Sequence, residues 1–234
     1  MTLARIRPAR SLAEISADQL REAILSGHFR MGENISEDRL KDLLGVSRTP
    51  IRDAMAILAR EGLVVVRPKR GSFVFETSRE DIAAICLYRE ILEMQAVRVA
   101  LTAARAPYLA EMREIVAQME SALNADDTVA YGQLDTRFHG AAFAHCNNSY
   151  LRDANSLVAG RIAALRANIT APYAERRSES LTEHRQMLQF LETEDLPAFD
   201  AALAIHIRRT QEVYGHALEE GHLGRPAPEK GNQT

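Results

Sequence analysis

The sequence contains no tryptophan and only two cysteines, and no apolar run approaches the roughly 20 residues that span a bilayer. Each absence excludes something. With aromatics at 6% and hydrophobic residues at 46%, a sizeable core must be mainly aliphatic, and the abundance of Ala, Leu and Arg leans the chain toward helix. Cys86 and Cys146 form no Cys-x-x-Cys pair, which argues against a disulfide framework and for a reducing compartment. The N-terminus lacks an apolar signal region, so the expectation is a cytoplasmic protein with no membrane partner. From Glu76 onward no strand signal appears.

The net charge of -3 hides an uneven distribution along the chain. Residues 1–78 hold 13 Lys+Arg against 10 Asp+Glu; the remainder holds 16 against 22. Phosphate binding depends on where cations sit, not on the whole-chain sum. The length of 234 residues suits two domains, and the charge division marks them. We place one unit at 1–78, an all-helical unit at 79–221 and a tail expected to be disordered at 222–234.

The stretch Ser36 to Ala54 carries the strongest local signal. It reads as a helix, a tight turn at Gly45-Val46, and a second helix capped by Ser47. Ile51, Ala54, Met55 and Leu58 give the second helix one apolar face, while Arg48, Thr49 and Arg52 point outward near its start. A major groove is read from that end of a helix-turn-helix. Arg48 and Arg52 offer bidentate donors to guanine edges or phosphates. Ser47 and Thr49 can hydrogen-bond phosphate at the positive end of the helix dipole.

A helix from Leu12 to Ser26 should precede this motif, burying Leu12, Ile15, Leu20, Ala23 and Ile24 and stopping at Gly27, with a loop over residues 28–35. Residues 1–10 read as a flexible basic arm. After Gly62, the run Leu63–Val66, the basic turn Arg67-Pro68-Lys69-Arg70-Gly71 and the run Ser72–Phe75 predict a hairpin. A hairpin after a recognition helix is a wing, with Lys69 and Arg70 at its tip within reach of DNA. The fold class is therefore mainly α, a winged helix-turn-helix followed by an antiparallel bundle. Six helices are expected, over 79–105, 108–124, 128–144, 149–169, 174–193 and 197–220, with breaks at Ala106-Pro107 and Ala171-Pro172 among others.

The region from Ser11 to Val74 resembles the winged helix of the GntR family of bacterial transcription regulators. The family motif Gly-Val-Ser-Arg-Thr-Pro-Ile-Arg-Asp-Ala stands at Gly45–Ala54, and the wing signature at Arg67–Gly71. The family often has a DNA-contacting arginine after the glutamate of the first motif helix. Here Asp38 holds that position and the cation is displaced to Arg39, a further candidate DNA contact.

In the second half, Asp135 and His139 share a helix face at i,i+4. His184 and His206 lie mid-helix among apolar neighbours and should face inward. Three inward imidazoles and a carboxylate suit a divalent transition metal with open coordination positions. His145, His28, His216 and His222 lack such partners and read as surface or tail residues. Arg89 has two readings: an intrahelical pair with Glu93, or a clamp for a carboxylate ligand.

Residues 82–217 resemble the all-helical FCD-type effector domain of the FadR-like branch, in its shorter VanR-like variant. The matching residues are Arg89–Glu93, Asp135–His139, His184 and His206. The resemblance implies that Asp135, His139, His184 and His206 bind a metal such as zinc or nickel, and that a small organic acid binds beside it. Asn148 matches a recurrent asparagine that either lines the pocket or caps the next helix.

The function these readings imply is a homodimeric repressor of a metabolic operon, binding a near-palindromic operator and responding to a small carboxylate. A metal-dependent hydrolase is the rival class, since three histidines with an open position can generate hydroxide. Against it, the sequence has neither the glutamate of His-Glu-x-x-His nor a nucleophile elbow. A second rival is a regulator whose metal is purely structural.

Overall fold

The computed structural model describes residues 10–26, 28–170 and 174–220. The expected basic arm over 1–10 except for Arg10, the stop at Gly27, the break at Ala171-Pro172 and the tail from Gly221 lie outside them. The described residues form eight α-helices and one three-stranded sheet, in the order helix, short strand, two helices, hairpin, then helices only.

Helix α1 (Leu12–Leu25) begins at a capping box: the Glu14 N–H donates to Ser11 Oγ, and the Ser11 N–H donates back to Glu14 Oε2 at 2.8 Å. Its buried stripe is Ala17, Leu20 and Ile24, packed on α3 (Arg48–Arg60). Leu12 and Ile15 were expected in that stripe but are 57% and 40% exposed. At 100° per residue Ile15 lies about half a turn from the Leu20–Ile24 line, and Leu12 about a quarter.

Helix α2 (Glu37–Leu44) is capped by Ser36 and ends at Gly45, whose φ of 65° is left-handed. A β-carbon at Gly45 would meet nothing within 4 Å, so backbone conformation and not crowding calls for glycine there. Strands β2 (Val64–Arg67) and β3 (Gly71–Val74) form the wing, with Arg67 opposite Gly71. At its tip Pro68 precedes Lys69 at φ 61°, and the Arg70 N–H donates to the Arg67 carbonyl. That is the type II pattern of a proline followed by a positive φ. The loop expected at 28–35 contains a third strand, β1 (Asn34–Ile35), paired antiparallel with β3. Two residues are too few to show an alternating pattern.

The helical half is built from α4 (Arg79–Asn124), α5 (Thr128–His145), α6 (Ser149–Leu165), α7 (Ala174–Glu192) and α8 (Leu196–Glu219). The first two expected helices are joined as α4, which kinks at Ala104 (φ -154°, ψ 44°) and not at the expected Ala106-Pro107. Pro107 donates no N–H and its ring crowds the carbonyl four residues back, so the distortion falls in the turn before it. The fourth expected helix ends early: residues Arg166–Thr170 form a π-helical turn. Pro197 lies in the first turn of α8, as expected.

The two cores are joined by α6. Ala164 belongs to the N-terminal core with Leu40, Ile51 and Leu58, while Leu165 belongs to the helical core with Tyr131, Phe138 and Met187. Arg161 Nε donates to the Gly62 carbonyl at 2.9 Å, and its guanidinium stacks 5.7 Å from the Phe75 ring centre. A β-carbon at Gly160 would sit 2.8 Å from the Glu61 carbonyl oxygen and 2.9 Å from Leu63 Cγ. Gly160→Ala therefore sets two effects against each other. Helix propensity alone would stabilise by roughly 1 kcal/mol. Overpacking against backbone costs about 1–3 kcal/mol, and we expect it to win, lowering the denaturant midpoint followed by circular dichroism.

Candidate metal centre and nucleic-acid face

The first turn of α3 presents Ser47, Arg48, Thr49 and Arg52 to solvent. Ser47 caps the helix through its extended backbone, and its hydroxyl makes no capping bond. Arg48 Nε and Nη2 donate to Asp38 Oδ1 at 3.1 and 2.7 Å, and Arg52 Nε donates to Glu37 Oε2 at 3.0 Å. The hydrogen bond to Asp38 raises the Arg48 pKa further. Arg39 pairs with Glu33 at 2.7 Å and lies over the Phe29 ring. Lys69 and Arg70 are exposed at the wing tip. The seven residues singled out as DNA contacts are thus all exposed, on α2, the start of α3 and the hairpin. Exposed ion pairs of this kind exchange partners readily, so the guanidiniums are oriented but available.

In the helical half, α5, α7 and α8 bring three imidazoles together. Single ring nitrogens of His139, His184 and His206 all lie within 4.8 Å of one another, and all three residues are buried. His139 Nε2 and His184 Nε2 are 3.2 Å apart, and Asp135 Oδ1 lies 3.4 Å from each. That carboxylate oxygen is buried and has no hydrogen-bond partner among the described residues.

The surroundings set the chemistry. Burial alone would raise the Glu93 carboxyl, but the Arg89 guanidinium, aided by His139, more than offsets it and holds the group at about 2. An ionised Glu93 accepts from His139 Nδ1–H at 2.8 Å, and the Nε2 of that ring faces His184. Glu183 does the same for His206 Nδ1 at 2.6 Å. Burial holds the His184 and His206 pKa values well below the usual range, so both rings are neutral at neutral pH. For Asp135, burial opposes ionisation, yet Arg166 and the histidines keep the carboxyl well below its ordinary value. Imidazoles of His139 and His206 held at Nδ1 by carboxylates, beside His184 and an unsatisfied buried carboxylate oxygen of Asp135, fit a divalent transition ion.

A cavity of about 380 Å³, mouth included, adjoins this cluster and is lined by Asp135 and His206 as well as Arg89, Arg166, Arg209 and Tyr214. Arg89 makes the intrahelical pair of its first reading. Its Nε pairs with Glu93, and its Nη2 is buried without a partner among the described residues. Asn148 is not among the lining residues; its Oδ1 accepts from the Leu151 N–H and caps α6. His145, expected to lack a partner, is half-buried with Nε2 2.7 Å from Glu111.

Sequence reasoning missed Arg166, Glu183 and Tyr214. Arg166 Nε lies 3.1 Å from Asp135 Oδ2. A cation placed four residues after Ile162, on an apolar helix face, was the available signal. Glu183 could have been found only as a neighbour of His184, and nothing in the sequence set Tyr214 apart.

Residues 12–74 match the family described as bacterial regulatory proteins, gntR family, and residues 84–209 match the FCD domain. The HTH-type transcriptional regulator YdhC of Bacillus subtilis (strain 168) is 28% identical over 206 residues, covering 87% of this chain and 91% of that protein. The HTH-type transcriptional repressor RspR of Escherichia coli (strain K12) is 24% identical over 204 residues, covering 86% and 88%. A crystal structure of a GntR transcriptional regulator from Rhodococcus sp. RHA1 covers 89% of this chain and 99% of its own, at 24% identity and a TM-score of 0.72, and shares the fold.

Proposed function

The chain belongs to the GntR family of DNA-binding transcriptional regulators and carries an FCD domain, and on that premise we propose a repressor released from its operator by a small carboxylate. The family and its relatives are regulators and not enzymes, so the hydrolase alternative falls. No helix among the described residues is long and apolar enough to cross a membrane. A cytoplasmic homodimer, each winged helix reading half of a near-palindromic operator, is the corresponding assembly. The repressor named among the relatives supports the sign of regulation.

In this reading Arg48 and Arg52 contact base edges or phosphates, Ser47 and Thr49 hold phosphate, and Arg39, Lys69 and Arg70 flank them. Asp135, His139, His184 and His206 would hold a divalent ion, zinc or nickel by ligand type, which supplies a Lewis-acid anchor for an anionic ligand. Arg89 and Arg166 orient the ligand, and burial around them excludes water.

The observation that carries the switch is α6. Gly160, Arg161 and Ala164 touch the winged-helix unit, while Arg166 enters the cavity in the next turn. A ligand that engages Arg166 differently in two helix positions moves the winged helix by the same element. The Phe75–Arg79 connection is short and tied at both ends, by the Phe75 N–H on the Leu63 carbonyl and by Ser78 capping α4. Operator affinity of metal-loaded protein, measured by fluorescence anisotropy across a carboxylate panel, tests this. At least one acid should weaken binding five- to a hundredfold, the usual span of allosteric coupling. A flat response across the panel would overturn the sensing half of the proposal.

A further inference from the structure

One side chain makes three separate contacts across the seam between the two units. Arg161, on α6, donates from Nε to the Gly62 carbonyl at 2.9 Å and holds its guanidinium 5.7 Å from the Phe75 ring centre. Its Nη1 lies 3.4 Å from Asp81 Oδ2. The three partners belong to different pieces of chain. Gly62 follows the recognition helix α3, Phe75 follows the wing, and Asp81 lies in the first turn of α4.

Each partner is itself fixed. Gly62 closes α3 in a Schellman turn: its N–H donates to the Ala59 carbonyl, the Leu63 N–H donates to the Leu58 carbonyl, and its φ of 73° is left-handed. A β-carbon there would lie 3.1 Å from both Arg161 Nε and the Leu157 carbonyl oxygen, so the turn sits directly on α6. Phe75 is fully buried, and Asp81 also accepts from Thr77 Oγ1 at 3.1 Å, which ties the connecting segment to the same carboxylate.

The remaining seam contacts differ in kind. Gly160 and Ala164 are small and limit how closely the units approach, but apolar contact is non-directional and leaves rotation about the seam free. Hydrogen bonds are directional, and the planar guanidinium sets several at once. Leverage makes that rotation matter. Helix α3 has 13 residues, about 20 Å between its reading end and the Gly62 clamp. A rotation of about 10° at the seam therefore carries Arg48 about 3.5 Å, close to one base-pair step.

We infer that Arg161 fixes the rotation of the winged helix on the bundle, and so determines which half-site spacing the protein accepts. It is a positioning residue outside the DNA face, and its role rests on the two-half-site assembly proposed above.

The test starts from a duplex selected out of a random library by the full-length protein. The spacer between its half-sites is then lengthened or shortened by one and two base pairs. Fluorescence anisotropy gives the affinity for each duplex and for one carrying a single half-site. Wild-type protein should lose at least tenfold per base pair of altered spacing. Arg161→Ala should lose less than threefold, with single-half-site affinity within twofold of wild type and helical circular dichroism unchanged. Arg161→Lys keeps the stem and the charge beside Asp81 but lacks the fork. It should resemble the alanine variant, and it carries the test if that variant does not fold. Leu191→Val, a change within the helical core, should keep the wild-type discrimination. Wild-type spacing preference in either Arg161 variant, or its loss in Leu191→Val, would overturn the inference, as would a wild-type protein indifferent to spacing. Should one half-site bind as tightly as two, the two-half-site assembly itself falls.

Discussion

Replacing Arg48 or Arg52 with alanine should abolish operator recognition while the protein remains folded and able to load metal. Each guanidinium is exposed at the start of α3, and neither contributes to the apolar core beneath it. A lost bidentate base contact lowers specific affinity by about ten- to a hundredfold per half-site, and a dimer loses it twice. A lost phosphate contact instead weakens all sequences alike and reduces the salt slope by about one. Anisotropy titrations on operator and scrambled duplexes at several salt concentrations separate the two. Asp38 supplies the control. Its carboxylate receives two hydrogen bonds from Arg48 on a face that must approach phosphates. Asp38→Ala should tighten non-specific binding by removing a like charge, and narrow the preference for operator by releasing Arg48. Uniform tightening with specificity preserved would show that Asp38 merely repels.

The second large effect is on His184. Its ring is fully buried, 4.1 Å from the Phe138 ring centre and in contact with His139. His184→Ala should take metal content from about one ion per chain to near zero by plasma mass spectrometry. The void left behind should also cost about 2–4 kcal/mol. Glu183→Gln isolates the chemistry from the packing: it leaves the imidazoles in place and should weaken metal binding about 10- to 100-fold. Operator affinity without effector should stay within about twofold in both variants, on the premise that DNA contacts are made only by the front of the chain. Chelated wild-type protein should keep its helical circular dichroism and lose its ligand response. If chelation unfolds it, the metal is structural.

The difference in legibility between the two halves is physical. The helix-turn-helix was readable because its signals are local: Ser36 and Ser47 cap, Gly45 turns, and Ile51, Ala54 and Leu58 repeat at helical spacing. The inward histidines were readable for a similar reason, polar residues on apolar faces. Glu183 and Arg166 escaped because their importance lies in what they touch, and those contacts span 23 and 31 positions of sequence. The kink at Ala104 was displaced because proline acts on the turn before it. The short strand Asn34–Ile35 exists only because β3 is there to pair with it. Leu12 and Ile15 were misassigned because their i,i+3 spacing imitates a buried stripe, whereas Ala17, Leu20 and Ile24 set the line that packs on α3.

The tight seam around Gly160 also bears on protein engineering. Regulators of this architecture invite recombination, in which the reading head of one is spliced to the sensor of another. Here the splice cannot be judged by the connecting residues alone. The head must also present the Glu61–Leu63 backbone to a helix face with no room for even one extra methyl group. Hybrids that preserve that pair of surfaces should transmit a signal. Those that do not should yield two competent parts that ignore each other.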